Sequence, residues 1–388
     1  MICSDPAPGR VPRVGTTRIR GVLLLLMVCG WTAFGGNRAP AETADRAAGA
    51  GAGADAPLER IAFGSCVHQD RPQPIWDAVL AANPDCFVFL GDNIYGDSDD
   101  MEMLRAKYNQ LASVPGFQRL RAKVPVLATW DDHDYGRDDA GAEFPSRAES
   151  QQLFVEFWDG ERDAPRRHRP GVYEARVFGP PGQRVQIILL DTRYFRSELK
   201  SVVLGGRPAY VPREDASATM LGEQQWTWLA EQLLVPAELR IIASSIQVVS
   251  REHRYEKWAN LPRERQRLLD LLRTSGAGGV VVISGDRHLA ELSRADGALP
   301  YPLYDLTSSG LTQSGGGHTD EPNAARVGQN FRDPNFGLIR IDWKASDPAI
   351  RLSIHDVGGA TRLEQRLRLG QLQPQVPARP RPAAAIGR

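Results

Sequence analysis

From residue 58 onward, short apolar runs alternate with longer stretches in which apolar residues return every three or four positions. The runs RIAFG (60–64), CFVFL (86–90), VPVLAT (124–129), VQIILL (185–190), RIIASS (240–245) and GVVVIS (279–284) are rich in β-branched and large apolar side chains. That composition predicts strands covered on both faces, as in a mainly parallel sheet. Between them, PIWDAVLAAN, ESQQLFVEFW, EQQWTWLAEQLL and RERQRLLDLLRTSG predict helices. Leu153, Phe154, Phe157 and Trp158 form one apolar stripe and Trp226, Leu229 and Leu233 another, while Gly276 supplies a stop. Such alternation implies α/β layering. Toward the end, FGLIRIDW and AIRLSIHDV alternate apolar with polar residues and predict an antiparallel hairpin. There is no internal repeat and no coiled-coil heptad.

The flanks read differently. Arg10, Arg13, Arg18 and Arg20 precede GVLLLLMVCGWTAF, too short for a comfortable membrane span but suited to a signal-peptide core. Ala39-Pro40-Ala41 offers small residues for cleavage after Ala41. Residues 1–41 are therefore expected to be a signal peptide, 42–57 a flexible Ala/Gly linker, 58–370 the folded domain and 371–388 a disordered Pro/Ala tail. The expected destination is periplasmic or extracellular, as a monomer with no stable membrane span after cleavage.

Composition narrows the partners. Lys plus Arg equals Asp plus Glu at 47 each, so the formal charge is zero. That argues against a nucleic-acid-binding domain, which needs a clustered basic excess, and leaves room for a small anionic substrate. Past Ala41 only Cys66 and Cys86 remain, too few for a disulfide scaffold. A single Cys66–Cys86 bridge is the alternative to reading Cys86, within CFVFL, as a small buried side chain.

The chemistry lies in the polar segments at the strand ends. RIAFG runs into Ser65-Cys66, and CFVFL into Gly91-Asp92-Asn93-Ile94-Tyr95-Gly96-Asp97. VPVLAT runs into Trp130-Asp131-Asp132-His133-Asp134-Tyr135-Gly136, and GVVVIS into Gly285-Asp286-Arg287-His288. In a parallel sheet these carboxyl ends share one edge, where ligands bind. So many carboxylates on one edge repel unless cations neutralise them, which predicts a metal site. Asp92, Asp132 and Asp286 are hard oxygen donors suited to calcium, magnesium or manganese. Cys66 and Tyr95 add a thiolate and a phenolate, which favour ferric iron. Asp92 is expected to bridge two ions about 3.5–4 Å apart, a pair able to make a bridging hydroxide and clamp a phosphoryl group. His133 is the expected proton donor, Asp134 its orienting partner, and Arg137 a contact for a phosphate oxygen.

The ordered segments FGSC, GDNIYGD, WDDHDYG and SGDRH resemble the alkaline phosphatase D (PhoD-like) family, a branch of the calcineurin-like metallophosphoesterases. The similarity extends through LDTRYFRS, LGEQQWTWL, SSIQVV, DLTSSGLT and NFGLIRID, over roughly 58–345. The resemblance implies a four-layer α/β/β/α sandwich, iron and calcium as cofactors, and hydrolysis of phosphomonoesters or phosphodiesters. It implies Cys66, Asp92, Tyr95 and His288 as ligands of an iron-like ion, and Asp92, Asp132 and Asp286 as ligands of a second. Asn93 joins as a calcium or substrate contact. Gln247 stands near where the wider superfamily has a histidine, so its ligand role is open. Asp132 replaces the superfamily asparagine, adding negative charge. Longer members carry an N-terminal β-sandwich, so the contacts it makes are expected to be missing here.

Blander readings apply elsewhere. Asp97, Asp99 and Asp100 in DSDD lack the glycine and glutamate of an EF-hand and read as a solvated acidic turn. Ser65 lacks a nucleophile elbow. Trp226, Trp228 and Trp258 read as packing, and LTQSGGGHTD, with His318, as a plain loop. The leading expectation is an exported phosphomonoesterase acting on a small phosphate ester. A phosphodiesterase or phospholipase-type enzyme is the alternative. A non-catalytic metal- or phosphate-binding protein has no need of His133 as proton donor.

Overall fold

The structure is a computed structural model that describes residues 56–315 and 321–374. The expected signal peptide, nearly all of the expected linker, His318 and the tail beyond Pro374 lie outside the described residues.

The chain first winds through β1 (Arg60–Gly64), α1 (Ile75–Ala81), β2 (Cys86–Leu90), α2 (Met101–Ala112), α3 (Pro115–Lys123) and β3 (Val126–Thr129). The single-turn helix α4 (Asp132–Tyr135) and the longer α5 (Arg147–Asp159) come after it. Next are β4 (Glu174–Phe178), β5 (Val185–Leu189), a separate hairpin of β6 (Lys200–Leu204) and β7 (Arg207–Val211), then α6 (Gly222–Leu233) and β8 (Leu239–Ser244). After α7 (Pro262–Thr274) the chain adds β9 (Val280–Ser284), β10 (Ala290–Ala295) and β11 (Leu303–Ser308). It closes with β12 (Asn335–Asp342), β13 (Ala349–Asp356) and β14 (Thr361–Arg368). One six-stranded sheet has the order β14-β13-β12-β1-β2-β3 and the other β10-β11-β9-β8-β5-β4.

Period-two alternation explains the layers. Cys86, Val88 and Leu90 of β2 point into the core shared with the second sheet, as do Ile61 and Phe63 of β1. Phe87 and Phe89, on the opposite face, pack with Trp76, Phe117 and Trp158 from α1, α3 and α5. Each large side chain so buried contributes about 2 kcal/mol. The second sheet is covered on its far side by Trp226, Leu229 and Leu233 of α6 and Leu268, Leu269 and Leu272 of α7. The result is the expected α/β/β/α sandwich.

All six predicted core strands form, and the predicted hairpin is β12–β13, with Phe336 opposite His355. β14 extends it: TRLEQRLR is a charged edge strand, mostly exposed, and carries little apolar signal. β10 and β11 are equally hard to read because their buried positions include Glu291, Ser293, Asp305 and Thr307. No Cys66–Cys86 bridge forms; both cysteines are free and buried. Cys86 pairs with Ile61 across β1 and β2, so five residues of extended chain, about 16 Å, separate it from the level of Cys66. A disulfide needs Cα atoms within about 7 Å. Trp226 and Trp258 are core residues, and Trp228 stacks at a tilt on Tyr173 with centroids 4.7 Å apart. Packing also runs past residue 370: Leu372 is fully buried and its carbonyl accepts the Gly279 amide at 2.7 Å.

Candidate metal centre

β1, β2 and β3 run parallel in the first sheet, and β11, β9, β8 and β5 run parallel in the second. The two sheets are laced at their carboxyl ends. The Ser65 amide donates to the Ser308 carbonyl at 3.1 Å, and the Ser65 carbonyl accepts from Gly310 and Leu311 at 3.2 and 3.0 Å. The segments after β1, β2, β3, β9 and β11 therefore meet at one seam. They turn sharply there: Cys66, Asp92, Asp286 and His288 all have left-handed backbones, with φ of 64°, 50°, 57° and 52°. A non-glycine residue held so costs about 1 kcal/mol, a cost concentrated on four of the predicted ligands. Gly91 is needed at φ 102°, since a Cβ there would lie 2.4 Å from Cβ of Asp131.

The predicted ligands converge in two overlapping groups. Cys66, Asp92 and His288 bring ligand atoms within 4.8 Å of one another, and so do Asp92, Asp131, Asp132 and Asp286. Asp92 belongs to both. The Cys66 thiol donates to Asp92 Oδ2 at 3.3 Å. The Tyr95 hydroxyl is 3.3 Å from the same oxygen and 3.1 Å from His288 Nε2. Asp92 Oδ1, Asn93 Oδ1, Asp131 Oδ2 and Asp132 Oδ1 are buried with no hydrogen-bond partner. Orphaned acceptors of this kind are costly unless a donor or cation meets them. A thiol, an imidazole and a phenol on one side of Asp92, with carboxylates on the other, fit two metal ions.

The electrostatics agree. Burial and the charges of Cys66, Asp132, Asp131 and Asp286 push Asp92 well above the usual carboxylate range, and burial with Asp131 and Asp132 does the same to Asp286. Burial also pushes the Cys66 thiol up, but His288, Ser309 and Ser65 outweigh it and bring it to about 7. Asp132 is opposed by burial yet is held low by Arg193 and His133. Without cations, the centre is thus a set of carboxylates that protons must partly discharge.

Side-chain geometry corrects or sharpens four of the expectations. Asp134 does not reach His133. Its Oδ1 accepts from the amides of Asp131 and Asp92 at 2.7 and 3.2 Å, and its Oδ2 takes the Asn93 amide. The single turn of α4 points it inward, so it ties the β2 and β3 loops together. His133 instead meets Asp97, with Nδ1 2.6 Å from Oδ1. Burial pushes His133 down, but Asp132 and Asp97 outweigh it and raise it to about 10. Asp97 thus leaves the supposed acidic turn. Asp99 pairs with Arg137 at 2.8 Å, and Asp100 caps α2 through the Glu102 amide. Arg137 is half exposed and engaged by that carboxylate. Gln247 turns away from the metal groups, donating to Glu291 at 2.7 Å and Thr307 at 2.8 Å. Asp305 forces this by holding the next two amides at 2.8 and 3.0 Å.

Other participants were not singled out by the sequence pattern. Ser309 Oγ accepts the Arg287 and His288 amides at 2.6 and 2.7 Å and lies 3.1 Å from Cys66 Sγ. Arg193, fully buried, is 2.5 Å from Asp131 and 3.7 Å from Asp132, and also meets Glu256. Asp191 places it by accepting the Arg193 and Tyr194 amides and the Trp130 indole at 2.9, 2.9 and 2.8 Å. The adjacency of Asp131 to Asp132 was the available signal for Asp131. For Arg193 and Ser309 the signal was their place in LDTRYFRS and DLTSSGLT, which gives neither residue a role.

A family model described as PhoD-like phosphatase matches residues 61–330, well over half of the chain. The chain belongs to the PhoD-like phosphatase family. This PhoD-like chain is 23% identical over 274 residues to alkaline phosphatase D of Bacillus subtilis (strain 168). The match covers 61% of this chain and 47% of the relative, so the chain spans about half the relative's length. The solved structure entitled "Structure of PhoD" superposes with a TM-score of 0.60 at 16% identity, over 81% of this chain and 72% of the other. GAP50, described as the anchor in the inner membrane complex of Plasmodium, gives 0.52 at 15% identity, over 80% and 89%. Both likenesses concern the fold.

If Asp92 serves both groups, Asp92→Asn should strip the purified PhoD-like chain of metal while circular dichroism stays unchanged. Elemental analysis at the wild-type stoichiometry would contradict the shared role.

Proposed function

We propose that this chain is an exported, metal-dependent phosphoric ester hydrolase acting chiefly on phosphomonoesters. The observation that supports it most is Asp92, whose carboxylate belongs at once to the Cys66–His288 group and to the Asp131–Asp132–Asp286 group. A cation pair held there supplies Lewis acidity, activating water and clamping a phosphoryl group. Cys66, Tyr95, His288 and Asp92 suit a ferric ion, and Asp92, Asp131, Asp132 and Asp286 suit calcium, with manganese or magnesium meeting the same donors. Asn93 Oδ1, buried and unpartnered, is a further oxygen for the second ion. A phenolate bound to ferric iron colours a protein, so the purified chain should absorb in the visible; colourless, iron-free, active protein would rule iron out.

The chain's own residues divide the remaining work. His133 carries the proton for the leaving oxygen, and Asp97 fixes Nδ1 so that Nε2 is the donor. Tyr95 packs against the ring, with centroids 4.2 Å apart, and His68 stacks on Tyr95 at 4.7 Å. Asp134 sets the turn from which His133 projects. Arg137 spends Nη2 on Asp99 and keeps its other N–H groups for a phosphate oxygen. Among the described residues no helix is long and apolar enough to cross a membrane. The inference of export rests on residues 1–41.

The deciding experiment compares 4-nitrophenyl phosphate with bis(4-nitrophenyl) phosphate on metal-loaded protein. Faster monoester turnover is expected, with His133→Ala about a hundredfold slower at unchanged metal content. Faster diester turnover would overturn the monoester assignment, and absence of both activities would overturn the hydrolase. Asp97→Asn removes a group that stabilises imidazolium, so the His133 pKa falls. The proton donor is then lost at lower pH, and the alkaline limb of the kcat profile should move down. An unmoved limb would exclude Asp97 from that role.

A further inference from the structure

A second cluster of cationic groups lies behind the metal centre, and no step of the proposed hydrolysis uses it. The segment Arg251-Glu252-His253-Arg254-Tyr255, with Lys257, packs against β7 and lines a cavity of about 460 Å³ that Glu321 also borders. His253 is 4% exposed, and both of its ring nitrogens are buried without a hydrogen-bond partner. Lys257 is equally buried, and its ammonium meets the Tyr255 carbonyl at 2.8 Å. Among the described residues, no carboxylate lies within ion-pair distance of it. The neighbouring cations differ in this respect: Arg287 pairs with Glu321, and Arg326 with Glu291 at 2.6 Å. Arg287 also lies over the Tyr255 ring, 4.3 Å from its centroid. Burial, then the charges of Arg287, Lys257 and Arg326, hold His253 well below its ordinary value. On the wall, Arg251, Arg254 and Lys257 outnumber Glu252 and Glu321, and Glu321 is taken by Arg287. Glu256, Glu252 and Glu321 attract Lys257 without forming an ion pair with it, and a buried ammonium left without one is expensive.

The cavity wall is hydrogen-bonded to the centre through Asp139. Tyr210, on its wall, donates to Asp139 Oδ2 at 2.6 Å, and the Asp139 amide donates to Asp132 Oδ2 at 2.8 Å. Glu256, between Tyr255 and Lys257, brings an oxygen within 4.8 Å of those of Asp132 and Asp139. Arg287 stands between two predicted ligands, Asp286 and His288. We propose that this cavity is a subsite for an oxyanion, carboxylate or phosphate, carried by the alcohol half of the ester, with Lys257 and His253 as its recognition groups. The substrate class is then a phosphate ester with a second negative charge. This rests on the hydrolase reading for the word substrate, but the subsite itself is a matter of binding. A ligand anion would pair Lys257 and accept the one N–H of the neutral His253 ring, and a pocket built for such groups discriminates against a ligand that lacks the charge.

Non-hydrolysable probes separate the two claims. Calorimetric titration of the metal-loaded full chain with 4-carboxybenzylphosphonate should give at least tenfold tighter binding than with benzylphosphonate. 1,4-Xylylenediphosphonate in the same series tells whether carboxylate or phosphate is preferred. Lys257→Met should abolish the advantage of both doubly charged probes; if that variant does not fold, His253→Phe repeats the test. Equal affinities for all three probes in the wild type, or an advantage that survives in the folded variant, would overturn the subsite. Phosphatase turnover with no probe preference sinks the subsite alone. Probe preference with no turnover on any phosphate ester sinks the hydrolase reading and leaves the subsite standing.

Discussion

Mutual repulsion among Asp92, Asp131, Asp132 and Asp286 is the constraint around which this protein is built. Their oxygens lie within 4.8 Å of one another at the seam of two sheets. Two unit charges 4 Å apart repel by about 4 kcal/mol at an effective dielectric of about 20, while a folded domain has only about 5–15 kcal/mol of net stability. Four ionised carboxylates at such spacing would consume that margin. Arg193 reaches Asp131 and comes near Asp132, but it also meets Glu256, so one guanidinium cannot discharge the group. Protons or metal cations must do so, and the unpartnered oxygens of Asp92, Asp131 and Asp132 are the places they would occupy.

The fold supports this concentration of charge in two ways. Parallel strands from both sheets bring their carboxyl ends to one line, and the Ser65 backbone stitches the two sheets there. Left-handed turns at Cys66, Asp92, Asp286 and His288 occur where the side chains gather into the two groups. Other carboxylates in the same region have structural duties. Asp134 joins two loops, Asp191 seats Arg193 and Asp305 fixes the segment after Gln247. Acidic residues here are thus of two kinds, those saturated by amides and those left open.

That distinction also explains what the sequence could disclose. The strand ends and their polar successors were legible because apolar runs in CFVFL or GVVVIS are hard to mistake, and a parallel sheet dictates where they finish. The convergence of Cys66, Asp92, Tyr95, Asp132, Asp286 and His288 was legible for the same reason. Which aspartate faces His133 was not, because a single turn of helix rotates Asp134 inward and lets Asp97 arrive from another loop. Nor was Ser309 or Arg193, whose roles depend on contacts across the sheet interface. Strands β10, β11 and β14 escaped because buried hydrogen-bonded polar residues, or an exposed charged edge, replace the apolar pattern by which strands are recognised.

The most direct test is anomalous X-ray diffraction from crystals of the purified chain, collected on both sides of the iron absorption edge. The account predicts two cation peaks about 3.5–4 Å apart, one against Cys66 and His288 and the other against Asp132 and Asp286, with Asp92 touching both. A well-ordered centre with no anomalous or difference density between these side chains would contradict it.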